Sequence, residues 1–233
     1  MIIPAILETT REAIRHKLQL LDGHAPLIQI DIADGILVDG KTVTDLSFLQ
    51  DLQLTAQIQL HLMVQKPESF LLTLPNIVKD VCVQAEALMY NPLSLEGFDD
   101  VLQAKDVRTG LAFNFTTPFE DFENEIEQCD YIQFNTIIPG GQGRSFIIGS
   151  LDKIAGFKAK HPKTFLQVDG GVTASILDMI VETGVDGIVV GSAIFQSAVP
   201  VQAYKNFVLQ FESAHRNLLN SKQHHGFAHE KRF

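Results

Sequence analysis

Eight short apolar runs recur along the chain, and most are followed by an amphipathic stretch. The runs are Ile2–Leu7, Leu27–Asp31, Gln57–Leu62, Asp80–Gln84, Gly110–Asn114, Tyr131–Thr136, Phe165–Val168 and Gly187–Val190. They are apolar on both faces, which suits strands covered on both sides. The segments between them carry helix signals. Thr9 to Leu21 opens on a capping box, Thr9 with Glu12, and is followed by Gly23. Pro67 to Leu74 starts on proline and stops before Pro75. Pro118 to Gln128 concentrates acids in its first turns. Ser150–Lys160 and Thr173–Thr183 each open on a hydroxyl residue. A last long helix is expected from about Val201 to Leu219, and Thr44–Gln50 and Ser94–Ala104 carry weaker patterns.

Strands alternating with helices imply parallel pairing and right-handed crossovers. Eight repeats make a closed (β/α)8 TIM barrel the economical solution. An open doubly wound sheet usually has fewer strands and needs a reversal of strand order. A length of 233 residues suits one such domain, placed at 1–220, with 221–233 as a polar and loosely ordered tail. The tail histidines His224, His225 and His229 are read as solvated rather than metal-binding.

The formal net charge of -10 argues against nucleic acid or an anionic membrane as partner. An anionic ligand would then depend on local backbone N–H groups. No run approaches the length of a membrane span, and "MIIPAILETT" has no basic segment ahead of its apolar run. The two cysteines, Cys82 and Cys129, sit in apolar runs without a disulfide framework, so a reducing, cytoplasmic setting is expected.

Active sites of α/β barrels lie at the C-terminal strand ends. Strand two ends in Gln29-x-Asp31, strand three carries His61, and strand seven is followed by Asp169. Asp31, His61 and Asp169 could ligate one metal, with the Gln29 amide oxygen as a further ligand for a harder cation. The ordinary alternative is that each caps a strand end on backbone groups. Convergence of several at one mouth favours function. Two carboxylates across a mouth also suit removal of a proton by one and its return to the opposite face by the other. Asp34, of opposite parity to Asp31, is expected to cap the turn at Gly35. Three glycine-rich loops follow the last strands: "IPGGQGRSF" (138–146), "DGGV" (169–172) and "VVGSAIF" (189–195). Loops in these places commonly hold a phosphate on backbone N–H groups. Arg144 either adds charge there or is a solvated surface arginine.

At this point the sequence resembles the ribulose-phosphate 3-epimerase family. The matching segments are "PAIL" (4–7), "IDIADG" (30–35), "HLMVQKPE" (61–68), "NFTTP" (114–118), "PGGQGRSF" (139–146), "VDGGV" (168–172) and "VVGSAIF" (189–195). The resemblance implies a ribulose-phosphate-binding TIM barrel. It also implies a divalent metal (Zn, Fe, Mn or Mg) and epimerisation of a ketose phosphate by two-base proton transfer through an enediolate. It makes Asp31 and Asp169 the acid/base pair and metal ligands, and His61 a third ligand. It assigns the sugar phosphate to Met63, Gly140, Gly141, Gln142, Gly143, Gly170, Gly171, Gly191 and Ser192. It further implies a homo-oligomer.

The chain departs from the family pattern around these acids. Gln29 stands where a second metal-binding histidine is expected, and Ala5 where a substrate-contacting serine is. Ala33 and Asn135 replace methionines of the reacting centre, the phosphate loop reads "PGGQGRS" rather than Pro-Gly-Phe-Gly-Gly-Gln, and "ILVDG" (36–40) replaces "HFVPN". An amide binds zinc less well than imidazole, so weaker zinc binding or a preference for magnesium or manganese is expected. Two further readings compete: a non-catalytic or altered-specificity phosphosugar-binding barrel, and a lyase or decarboxylase of related fold. The last commonly carries Asp-x-Lys-x-x-Asp at the end of strand three, where this chain reads "LHLMVQ" (60–65).

Overall fold

The computed structural model describes residues 1–71, 73–90, 95–138 and 143–229; of 222–229 the backbone alone is described. Eight parallel strands close into a barrel in sequence order. They are β1 (Ile2–Ile6), β2 (Leu27–Ala33), β3 (Gln57–Met63), β4 (Val78–Gln84), β5 (Arg108–Phe113), β6 (Tyr131–Asn135), β7 (Phe165–Asp169) and β8 (Gly187–Val190). β1 pairs with both β2 and β8, which closes the ring. The helices are α1 (Arg11–Leu21), α2 (Glu68–Leu71), α3 (Ala85–Tyr90), α4 (Leu95–Gln103), α5 (Glu123–Gln128), α6 (Ser150–Lys160), α7 (Leu177–Glu182), α8 (Ser192–Phe195) and α9 (Pro200–His229). No helix among the described residues is long and apolar enough to cross a membrane.

The outward strand residues pack under the helices. Ile28, Ile30 and Ile32 of β2 share one core with Ile14 and Leu18 of α1. Over β5 and β6 the contact is aromatic: Phe119 meets Phe157 edge to face at 5.1 Å, and Phe113 lies 5.7 Å from Phe134.

Several helices differ from the sequence pattern. The cap of α1 is Thr10, whose Oγ1 accepts from Ala13 N at 3.2 Å, so Thr9 and Glu12 do not form the expected box. Proline-started Pro67–Leu74 contracts to α2, and Pro118–Gln128 divides into a 3-10 turn (Phe119–Phe122) and α5. Thr173 starts a turn, with Ile176 N donating to Thr173 O, and α7 begins only at Leu177. Thr44–Gln50 becomes a 3-10 helix at Ser47–Asp51. The last helix continues past Leu219 through the backbone of His229.

The N-terminal end of the barrel is plugged from within. Arg108 makes two parallel bonds to buried Asp80, Nε to Oδ1 at 2.7 Å and Nη2 to Oδ2 at 2.6 Å. Tyr131 fills the space beside Cys82 and Ala112. Its ring lies where a side chain at Gly110 would stand: a Cβ there would sit 2.3 Å from Tyr131 Cζ. Gly110→Ala should therefore overpack the barrel and destabilise it by about 1–3 kcal/mol, read by urea unfolding. Tyr131→Leu in the same background should recover part of that loss. An unchanged midpoint for Gly110→Ala would show that the ring yields freely.

Candidate active and metal site

Strand register assembles the site at the C-terminal mouth. β2 and β3 place Asp31 directly beside His61, and β6 and β7 place Asn135 beside Asp169. Closure of the ring then brings Asp31, His61 and Asp169 together, with a donor atom of each within 4.8 Å of the others. His61 Nδ1 stands 3.3 Å from Asp31 Oδ1 and 3.4 Å from Asp169 Oδ2.

Buried carboxylates are costly without donors, and here glutamines supply them. Gln29 Nε2 donates to Asp31 Oδ1 at 2.6 Å and to Asp169 Oδ2 at 2.7 Å. Gln133 Nε2 reaches Asp169 Oδ2 at 3.1 Å and Asn135 Oδ1 at 3.2 Å. Each glutamine is held by another. Gln59 donates to Gln29 Oε1 at 2.9 Å, and Gln167 donates to Gln133 Oε1 at 2.6 Å. In this arrangement the nitrogen of Gln29, not its oxygen, faces the acids.

The Gln84 amide is satisfied only with its oxygen accepting from His61 Nε2 at 2.9 Å and Asn135 Nδ2 at 2.6 Å. Its nitrogen then donates to Glu86 Oε2 at 2.8 Å and Ala112 O at 3.3 Å. This contact fixes a proton on His61 Nε2 and turns Nδ1 between the acids, where it donates to them when protonated and offers its lone pair to a cation when not. That is the way a protein orients an imidazole for a metal. Two carboxylates, an imidazole and an adjacent amide fit a divalent cation by donor type.

Electrostatics tie the three groups together. Burial opposes a charged His61 ring, but hydrogen bonds to Asp169 and Asp31 and their charges outweigh it, lifting the ring from 6.5 to about 9. Burial, then repulsion from Asp169, raises Asp31 above the ordinary carboxylate range against the pull of His61 and Gln29.

The mouth opens as a cleft. Asp31, His61, Met63, Asn135 and Asp169 line its acid end, and Gly143, Gly170, Gly171, Gly191 and Ser192 its glycine end. Ala5 also lines it, whereas Ala33 is buried outside the lining. Gly140, Gly141 and Gln142 lie outside the described residues. Gly171 has φ +69°, and a Cβ there would sit 2.4 Å from Phe146 N, so the loops after β6 and β7 meet backbone to backbone. Asp34 caps its turn as expected, accepting from Ile36 N at 2.8 Å and Leu37 N at 3.1 Å. Arg144 donates to Ile138 O at 2.8 Å. The sequence reading missed Gln59, Gln84, Gln133 and Gln167, although Gln-x-(Asp, His or Asn) occurs at 29/31, 59/61, 133/135 and 167/169.

A family model described as the ribulose-phosphate 3 epimerase family matches residues 1–195. Among curated proteins, the chain is 30% identical over 181 residues to ribulose-phosphate 3-epimerase of Escherichia coli K12, covering 73% of this chain and 77% of that protein. It is 27% identical over 202 residues to the Bacillus subtilis protein of the same name, covering 83% and 91%. Among solved structures, 3-hexulose-6-phosphate synthase from Salmonella typhimurium matches with TM-score 0.65 at 15% identity, covering 93% of this chain and 99% of that one. Orotidine 5'-monophosphate decarboxylase from Sulfolobus solfataricus matches with TM-score 0.64 at 15% identity, covering 91% and 98%. These two likenesses concern the barrel alone.

The charge balance predicts a pH dependence for protein freed of divalent metal by chelation. A histidine raised in the folded state stabilises fully below its unfolded value near 6.5, and that contribution is lost as pH climbs through about 9. The melting temperature should fall between pH 7 and pH 10, and His61→Gln should flatten that fall. Equal slopes in both proteins would remove His61 from the account.

Proposed function

The chain belongs to the ribulose-phosphate 3-epimerase family, and we propose that it epimerises a ketose phosphate, D-ribulose 5-phosphate to D-xylulose 5-phosphate, with Asp31 and Asp169 as the two proton-transfer groups. The observation that carries this reading is the pair itself: two carboxylates at one mouth, held by Gln29 Nε2 between them. One carboxylate removes the C3 proton from one face of the substrate, and the other delivers a proton to the opposite face. The first ends protonated and the second ionised, so the two exchange roles in the reverse reaction. A raised Asp31 suits a group that must carry a proton during turnover.

Asp31, His61 and Asp169, with Gln29 turned to present its oxygen, would hold a divalent metal. The metal would polarise the substrate carbonyl and stabilise negative charge as the enediolate forms. Because an amide replaces an imidazole in this set, we assign magnesium or manganese ahead of zinc. The substrate phosphate is placed at the glycine end, on backbone N–H groups of the loops after β7 and β8. Asn135 makes the reacting end more polar than a methionine would, which favours altered specificity among ketose phosphates as the second reading. A cytoplasmic setting and a homo-oligomer belong to the same proposal.

Solvent deuterium incorporation at C3, followed by NMR with each of Mg, Mn, Fe and Zn, tests it. Wild type should exchange. Asp169→Asn and Asp31→Asn should each lower the rate at least about 10²-fold while unfolding at a near-wild-type midpoint. Binding of ketopentose and ketohexose phosphates without exchange would instead support a non-catalytic barrel.

A further inference from the structure

Two glutamines facing each other below the acids carry a consequence for metal uptake that rests on the site reading above. Gln29 and Gln59 are direct register partners on β2 and β3, and both are fully buried. The two N–H groups of Gln29 are spent on Asp31 Oδ1 and Asp169 Oδ2. These carboxylates, with His61, form the ligand cluster. A cation held between them would meet amide hydrogens, so Gln29 must turn its oxygen inward to serve it. Turning Gln29 alone would set its NH2 against the NH2 of Gln59, which now donates to Gln29 Oε1 at 2.9 Å. Gln59 Oε1, meanwhile, is buried without a hydrogen-bond partner. Turning both amides pairs Gln29 Nε2 with Gln59 Oε1 and removes the clash. Counted by polar atom, Gln59 has one unpaired in either arrangement: its oxygen now, its nitrogen after the reversal. Rotation about the last side-chain torsion of glutamine is soft, and an amide keeps its shape when reversed, so no repacking is needed.

We propose that Gln29 and Gln59 are a coupled amide pair that reverses as a unit when the Asp31/His61/Asp169 cluster takes up a divalent cation, making Gln29 Oε1 the fourth ligand and Gln59 its positioning residue. In one orientation Gln29 bridges the two carboxylates. In the other it serves the metal. A histidine in place of Gln29 could not bridge both acids through a single NH2 group in this way, so the pair gives this chain acids that have a partner at position 29 with or without the ion.

The test is a binding cycle on the full-length chain, by calorimetry with Zn²⁺ and Mn²⁺ after chelation. At a pH high enough to keep it ionised, glutamate at position 59 can only accept, so it favours the metal-ready orientation of Gln29. Gln59→Glu should tighten binding at least about tenfold. In a Gln29→Met background the same change should give a much smaller gain, because only the added charge then acts. Equal gains in both backgrounds would overturn the coupling while leaving the metal site intact. Neutron diffraction of chelated and Zn²⁺-loaded crystals gives a second readout. The deuterons of Gln29 should point to Asp31 and Asp169 in the first and to Gln59 in the second. Unchanged deuterons with Zn²⁺ bound would refute the reversal. Zn²⁺ affinity unaffected by Asp169→Asn would refute the metal site itself, and the pair with it.

Discussion

Two carboxylates held close together inside a barrel are the constraint around which the rest is arranged. Asp31 and Asp169 repel each other, and burial takes Asp31 out of water and Asp169 in part. The chain answers with N–H donors: Gln29 bridges the pair, Gln133 adds a bond to Asp169, and His61 approaches both. Each donor must itself be held, which brings in Gln59, Gln167 and Gln84. A barrel interior commonly filled by branched aliphatics therefore carries a layer of amides under its mouth. Such a layer is tolerable because its members satisfy one another at most atoms, with Gln59 Oε1 left unpaired.

The fold was legible because the apolar runs are strong and evenly spaced. A strand covered on both faces leaves little freedom in its assignment, and eight such strands point to a closed ring. Helix boundaries were less legible because several local signals compete at each start. Thr9 and Thr10 both qualify as caps, and it is Thr10 whose Oγ1 accepts from Ala13 N. Thr173 offers a hydroxyl, but that group meets Ser175 Oγ at 2.9 Å, and the Thr173 carbonyl accepts from Ile176 N in a turn before α7. The short α3 and α8 have no periodicity to read at all.

In the site, Asp31, His61 and Asp169 were visible because each is a polar group closing an apolar strand. The glutamines behind them were not, because a single buried glutamine in a strand reads as a local accident. Their signal lies in the repeat across strands. Gln29/Asp31, Gln59/His61, Gln133/Asn135 and Gln167/Asp169 each use the two-residue period of a strand to put an amide directly under a mouth residue. No single strand carries that information.

The solved neighbours share the barrel and bear names of other reactions, so the fold does not decide the chemistry. Side chains at the strand ends do. Here they are not independent of one another. The Gln84 oxygen accepts from both His61 Nε2 and Asn135 Nδ2, and Asn135 also donates to Asn114 Oδ1 at 3.2 Å. The residue that orients a candidate metal ligand thus also orients the polar wall of the cleft. A change at Asn135 that suits a different sugar phosphate would also alter the bonds that position His61. The orientation of His61 and the polar wall of the cleft are coupled through one amide, and Gln29 and Asn135, two departures from the family pattern, belong to one hydrogen-bonded network through Asp169 and Gln133.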